Sequence, residues 1–455
     1  MPEGALLAGW ARTAPTRASI AAPASDDAVV SLLARGSPHG LVARGLGRSY
    51  GDAAQCAGGT VVDTCALADV GDVDPETGIV EVGAGSSLQA LLERSLPSGW
   101  FVPVTPGTRQ VTVGGAIAAD VHGKNHHRDG TFGRHVASMV LATPTGLHEV
   151  GPDRDPGLHW STCGGMGLTG VVTRARVRML RVETDRMVVD TDRFDDLDGV
   201  MAAMEVGDAA YRYSVAWVDC TASGRRSGRS VLTRGDHARR DDLPVRTRAR
   251  APEAPGRPRL RVPRPGPRHM LNALSITAFN DLWFRRAPRH RVGELQRIGT
   301  FFHPLDGIAE WNLLYGDRGF VQYQFVVGPG EGDVVARSIA LLSDRRIPSF
   351  LAVLKRFGPA SPGPLSFPVS GWTLALDVPI GPPALSGTLD RLDEMVAAAG
   401  GRVYLAKDSR LRPDLLRAMY PRLDELATVR RRVDPEGVLR SDLSRRIGLD
   451  QATAH

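Results

Sequence analysis

Residues 42–53 read Val-Ala-Arg-Gly-Leu-Gly-Arg-Ser-Tyr-Gly-Asp-Ala and follow a short apolar run. Gly45, Gly47 and Gly51 punctuate the stretch. Glycine admits positive φ and lets backbone approach a ligand closely. Successive backbone N–H groups in such a loop form a nest for anionic oxygens. Arg44 and Arg48 add positive charge, and Ser49 adds a hydroxyl donor. The chemistry suits a pyrophosphate. It also suits an ordinary glycine-rich turn, and this loop alone leaves both readings open.

A second stretch, residues 103–127, reads Pro-Val-Thr-Pro-Gly-Thr-Arg-Gln-Val-Thr-Val-Gly-Gly-Ala-Ile-Ala-Ala-Asp-Val-His-Gly-Lys-Asn-His-His. Its small apolar part, Thr112 to Ala119, predicts a helix whose first N–H groups face a pyrophosphate; a tightly packed buried helix is compatible with the same residues. The two segments together resemble the vanillyl-alcohol-oxidase-type flavoprotein family, in which two glycine-rich segments hold FAD. Arg44–Asp52, Pro106–His127, Gly164–Gly170, His303–Asp306, Gln322–Phe325, Leu365–Pro368 and Ala406–Arg410 carry the resemblance. It spans nearly the whole chain and is weakest over 225–270. It implies an α+β protein of two domains. Residues 1–184 begin the FAD-binding domain, 185–401 form a substrate domain with an antiparallel sheet backed by helices, and 402–455 return to the FAD-binding domain.

Composition agrees with a two-domain protein, since 455 residues exceed one ordinary core. With 42% hydrophobic and 23% charged residues the chain reads as globular. Its apolar runs fall short of the ~18 residues that span a bilayer, and Met1 to Ser25 lacks the basic start and apolar block of a secretory signal. Four cysteines without CxxC spacing read as reduced structural thiols. The net charge is +6, yet residues 225–268 hold fourteen arginines against four acidic residues, so the rest is about four units negative. With seven prolines between Pro244 and Pro267, that segment reads as an extended or disordered loop. It is a solvated linker or a contact for anionic lipid headgroups. It has no aromatic residue to stack on bases, which argues against nucleic acid.

Two glycine patterns invite a Rossmann reading and fail it. Gly83-Ala84-Gly85 lacks its third glycine, because Leu88 stands there, and no acidic residue follows about twenty positions on. Gly165-Met-Gly167-Leu-Thr-Gly170 matches to the letter, but Val171 to Leu180 alternates apolar and polar residues, which predicts a strand. Elsewhere the pattern predicts a helix over 86–96, a hairpin around Pro144-Thr-Gly146, strands over 211–218, 320–327, 350–354 and 372–378, and helices over 272–286, 334–342, 385–398 and 415–433.

The resemblance implies FAD contacts at Ala43, Arg44, Gly45, Leu46, Gly47, Arg48, Ser49, Tyr50, Gly51, Asp52 and Ala53. It adds Gly107, Thr112, Val113, Gly114 and Gly115, then Ala119, Asp120, Val121 and His122, and finally Val172 and Tyr404. Many relatives attach FAD through a histidine in Gly-His-Ser. Here Arg48 holds that position, and guanidinium is not a nucleophile at ordinary pH, so FAD is expected to be non-covalent. His122 and His126 stand four apart, but a glycine between them and the lack of a third nearby ligand argue against metal. The family places the residue matching His122 at flavin and substrate. Lys407 matches its active-site lysine; by itself Lys407 reads as a surface lysine paired with Asp408. Tyr50, Gln322, Gln324 and Lys355 match substrate-pocket positions, and the two glutamines share a strand face. Three departures stand out: Ala375 where many relatives have a cysteine attacked by nitroaromatic inhibitors, Thr373 for asparagine, and Phe302 for tyrosine.

Within that family the matching stretches are similar to enzymes that oxidise a secondary hydroxyl of a lipid-linked ribose. That implies peripheral membrane contact, a separate NAD(P)H-dependent keto-reductase as partner, and reoxidation of flavin by oxygen, a quinone or another acceptor. Two other readings stand beside it: an oxidase of a soluble aldose, alditol or sugar lactone, and a non-enzymatic flavin-bound scaffold for the reductase.

Overall fold

Three larger sheets carry the chain. The structure is a computed structural model and describes residues 4–258, 260–264, 266 and 270–450. The first sheet has the order Ala5–Leu7, Thr16–Ala21, Thr60–Asp63, Leu41–Arg44, with its last three strands parallel. The glycine loop leaves the carboxyl end of strand Leu41–Arg44. The second sheet is antiparallel, in the order Ile79–Gly83, Val171–Arg178, Val136–Thr143, Gly146–Val150. Val171–Arg178 buries Val171, Thr173, Ala175 and Val177 and exposes Arg174, Arg176 and Arg178, so the alternation made it a strand and not a Rossmann helix.

The third sheet has eight antiparallel strands: His290–Arg297, Arg186–Phe194, Ser230–His237, Tyr213–Val218, Leu351–Phe357, Gly371–Pro379, Phe320–Val327 and Arg402–Val403. Helices Leu197–Gly207, Gly332–Asp344 and Leu385–Ala398 back it. Their apolar stripes share one core with Phe325, Val327, Leu374 and Leu376. Strand parity therefore sends Gln322, Gln324, Thr373, Ala375 and Asp377 to the opposite face.

The arginine-rich segment differs from the loop expected over 225–270. Ser230–His237 is an inner strand, paired on both sides. Arg229 is buried and pairs with Asp219 at 2.8 Å and Asp281 at 3.1 Å, and Arg234 pairs with Asp192 at 2.9 Å. A composition averaged over the whole segment hides an eight-residue strand whose charges find partners on neighbouring strands. Further on, the carbonyls of Pro255 and Gly256 accept from Gln89 and Arg109, and Leu260–Arg261 pairs with Ile308–Ala309. Residues 259, 265 and 267–269 of this segment lie outside the described residues. Among the described residues no helix is long and apolar enough to cross a membrane, and the four cysteines are unbridged.

The chain's end closes onto its beginning. Leu41 and Leu439 form a parallel bridge, and helix Asp442–Arg446 carries Arg446 to the glycine loop. Its guanidinium spans both oxygens of Asp52 at 2.8 Å and Oδ2 of Asp408 at 2.8 Å. Burial works against this charge, but the bonds to the two carboxylates outweigh it and hold the arginine's pKa above the ordinary value. Asp408 thus pairs with Arg446, not with Lys407 as a surface reading of that lysine had it. Replacing Arg446 by methionine leaves two carboxylates facing each other without a cation; it is expected to cost about 3 kcal/mol of stability, read as a lowered denaturant midpoint, and to weaken FAD retention.

Candidate active site

A cavity of about 810 Å³ lies between the glycine loop and the open face of the eight-stranded sheet, a size in the range of roughly 300–1,000 Å³ usual for ligand sites. Leu46, Gly47, Arg48 and Ser49 line it, and their backbone amides hydrogen-bond to no described residue. Gly47 holds φ +63°. Four unspent donors in one turn make an anion nest. Gly45 is required for another reason: a Cβ there would collide with Thr112 Oγ1. That hydroxyl caps helix Val113–Ala118 by accepting from Gly115 N at 3.1 Å. The two glycine-rich segments meet at this contact.

The helix itself does not offer its amides as expected. Val113 N donates to Ser86 O at 2.9 Å and Gly114 N to Ala84 O at 2.8 Å, while Gly115 N is taken by the cap. Its small residues serve close packing against the 83–88 turn. The donors left for a pyrophosphate belong to the loop.

Of the residues expected to touch FAD, Ala43, Gly45 to Tyr50 and Ala53 line the cavity, as do Gly107, Thr112, Gly114, Gly115, Ala119, Val121, His122, Val172 and Tyr404. Five stand behind the wall. Arg44 spends its guanidinium on the carbonyls of Ala8 and Ala54 at 2.8 and 3.0 Å. Gly51 is pressed on Asp408 O, and Asp52 is held by Arg446. Val113 is fully buried in the core. Asp120, at φ +40°, accepts from Gly133 N at 3.0 Å and from Ser366, and burial raises its carboxyl pKa. Arg48 does face the cavity, stacked 3.8 Å over Trp10, with Nε donating to Gln110 O at 3.0 Å.

The sheet supplies a polar floor. Strand pairing sets Asp377 between Gln322 and Leu351, Ala375 between Gln324 and Val353, and Thr373 beside Lys355. Gln324 Nε2 spends both hydrogens, on Thr373 Oγ1 and on His122 Nε2, each at 3.0 Å, because the Thr373 hydroxyl donates to Phe325 O. His122 Nε2 is therefore the acceptor and Nδ1 carries the proton. His122 Nδ1, Gln322 Oε1 and Gln324 Oε1 are buried without an internal partner. Burial, then the charges of Lys355 and Lys407, hold the His122 pKa well below the ordinary value, so this imidazole is neutral. Burial pushes Lys407 down to about 8, opposed by Asp377. Lys355 falls to about 7 through burial and the charges of Lys407 and Lys124. Lys407 Nζ lies 5.6 Å from the Tyr50 ring centre.

Asp377 was missed. It is buried in the floor, accepts from Gln322 Nε2, and is pushed up to about 6 by burial, with the Gln322 bond and Lys407 opposing. The signal was a lone acid in Thr373-Leu-Ala-Leu-Asp377-Val, two positions from Ala375 and so on its face. Trp10, Asp306, Glu310 and Trp311 also line the cavity. The departure at Phe302 lies away from the cavity, in a ring cluster with Phe101 and Tyr213.

The unspent amides of the loop, the small apolar lining of Ala118, Ala119, Val121 and Val172, and the unpartnered polar atoms of the floor fit FAD, which these residues would hold. Fold and site define an FAD-dependent oxidoreductase of the vanillyl-alcohol-oxidase type. Residues 18–151 match the FAD binding domain, and residues 388–447 match the family described as D-arabinono-1,4-lactone oxidase. The chain is 44% identical, over 97% of both chains, to decaprenylphosphoryl-β-D-ribose oxidase of Mycolicibacterium smegmatis. It is 43% identical, over 80% of its own length and all of the relative's, to an uncharacterized protein of Streptomyces coelicolor. Cytokinin dehydrogenase 10 of Oryza sativa is 30% identical over 34% of this chain and 30% of its own. The chain belongs to the decaprenylphosphoryl-β-D-ribose oxidase family.

With Arg48 where the resemblance implies a linking histidine, FAD is expected to be dissociable: acid precipitation is expected to leave the flavin in the supernatant and the pellet colourless. With Ala375 on the floor, turnover in the presence of a nitroaromatic inhibitor is expected to leave the intact protein mass unchanged, whereas Ala375→Cys gains the adduct.

Proposed function

We propose that this protein oxidises the 2′-hydroxyl of decaprenylphosphoryl-β-D-ribose to the 2′-keto sugar, the first half of an epimerisation toward arabinan precursors. The observation that carries the reading is the floor itself: two lysines, one buried acid, a neutral imidazole and two glutamines face the glycine loop across one cavity. Bound FAD, held without a covalent link, supplies the hydride acceptor. Lys407 Nζ takes the hydroxyl proton as the carbon gives up hydride, which leaves a ketone. His122 Nδ1–H donates to the hydroxyl oxygen and orients it. The free Oε1 atoms of Gln322 and Gln324 accept from the other sugar hydroxyls, with Tyr50 as an apolar wall. Lys355 meets the phosphate, whose negative charge favours its protonated form. A separate NAD(P)H-dependent keto-reductase completes the epimerisation, and the enzyme works at a membrane surface to reach its lipid.

The match of residues 388–447 to a lactone oxidase family favours a second reading, a soluble sugar or lactone as substrate. It concerns the C-terminal piece alone, while the similarity to the ribose oxidase runs over 97% of the chain.

Anaerobic addition of decaprenylphosphoryl ribose is expected to bleach the flavin absorbance, and free aldoses, alditols and lactones are not. The reverse selectivity would sink the lipid-linked reading, and bleaching by none would leave a scaffold. Lys407→Ala is expected to slow bleaching by about 10²–10⁴-fold, the usual worth of a general base. Because the free amine is the active form, kcat/KM rises with pH toward a plateau, with a limb near 8. Asp377 raises that pKa, so Asp377→Asn moves the limb to lower pH. Lys355→Met is expected to raise KM by about ten- to a hundredfold, the worth of a hydrogen bond to a charged group, with a smaller change in kcat.

A further inference from the structure

Helix Ala273–Arg286 buries Ile276, Asn280 and Phe284 on its inner face. Its outer face is not polar. Leu274, Ala278 and Leu282 recur every fourth residue, with Phe279 and Trp283 alongside. Leu274 is 85% exposed and Trp283 50%; Phe279, Leu282 and the preceding Met270 are exposed as well. The Phe279 and Trp283 rings stack 6.1 Å apart at an angle of 16°. A contiguous exposed patch of this kind marks an interaction surface.

The charge on the end of the helix and just beyond it is mainly positive: Arg285, Arg286 and Arg289 against one acid. Asp281 is the helix's single acid, and it is occupied by Arg229 at 3.1 Å and Arg285 at 2.9 Å. Arg286 and Arg289 are exposed and make no ion pair with any described residue. Apolar side chains rimmed by unpaired cations match the boundary between the headgroups and acyl chains of an anionic bilayer. The patch also borders the site. Leu271 packs on the cluster that contains Trp311, a residue that lines the cavity. Phe279 lies 4.9 Å from Phe350, the neighbour of Leu351 on the floor.

We infer that the outer face of helix Ala273–Arg286 docks the protein on an anionic lipid bilayer and so brings the cavity wall to the surface that presents its substrate. This deepens the lipid-linked reading above and rests on it. The contact is made by a folded helix and its flanking arginines, not by the arginine-rich segment read from the sequence.

The test is co-sedimentation of the FAD-loaded full chain with vesicles of equimolar phosphatidylglycerol and phosphatidylcholine, and with phosphatidylcholine alone. Binding is expected to the mixed vesicles and to be weaker on the neutral ones. Leu274→Ser/Leu282→Ser/Trp283→Ser is expected to lower the partition coefficient roughly a hundredfold or more, and Arg286→Gln/Arg289→Gln by roughly fivefold per charge. Flavin absorbance checks folding. If the triple variant does not fold, the arginine variant and a blue shift of tryptophan emission lost in Trp283→Phe carry the test. No vesicle binding by wild type overturns the inference, as do variants that bind like wild type. A mass by light scattering that halves in the triple variant also overturns it, because the patch would then join two copies. Flavin bleaching by substrate dispersed in detergent reports on the oxidation separately: bleaching without vesicle binding removes the docking face and keeps the reaction, and binding without bleaching does the opposite.

Discussion

The Arg446 guanidinium between Asp52 and Asp408 is the contact on which the site's shape depends. Asp52 belongs to the glycine loop and Asp408 follows Lys407 directly, so one cation fixes the distance between the cofactor loop and the proposed base. Backbone bonds reinforce it: Tyr50 N donates to Ala406 O at 2.9 Å, and Asp408 Oδ1 accepts from Arg410 N and Leu411 N at 2.9 and 2.8 Å. A carboxylate that accepts from this many donors is held in one place. The three partners come from the two ends of the chain, which is why the C-terminal piece is needed to complete a site that begins near residue 42.

The floor shows how burial and sign set proton affinities. Two lysines with Lys124 nearby form a cationic group that discourages a further positive charge, and His122 answers by remaining neutral. Asp377 is the compensating carboxylate beside Lys407. The pair keeps the lysine near neutrality in its affinity, low enough to accept a proton and high enough to hold it. Gln322, bonded to Asp377, leaves its carbonyl oxygen buried without an internal partner. Substrate hydroxyls are the natural partners for such atoms, because a buried acceptor left unpaired is costly.

Much of this was legible in local pattern. Alternation after Gly170 separated a strand from a dinucleotide-binding helix, and the spacing of Gln322 and Gln324 put both amides on one face. Asn272 capped the helix expected there, although its exposed leucines were not legible as a surface, because periodicity reports which side chains share a face and not which face meets solvent. The arginine-rich segment misled for a related reason. Its composition is that of a loop, yet Arg229 meets Asp219 across the mouth of a hairpin, and Arg234 meets Asp192 on a strand 42 residues earlier.

The sequence by itself determined the chemistry of the cofactor loop, the strand parity of the floor, the absence of a linking histidine at Arg48 and of a thiol at Ala375. Tertiary structure alone decided which groups were spent. It turned Arg44 into a brace and left Arg48 at the cavity, used up the first amides of helix Val113–Ala118 on neighbouring carbonyls, and set Asp377 beside Lys407. The physical reason is range: glycine conformation and side-chain alternation are properties of a few adjacent residues, whereas the satisfaction of a hydrogen-bonding group or the pKa of a buried one depends on partners that only folding brings within a few ångströms.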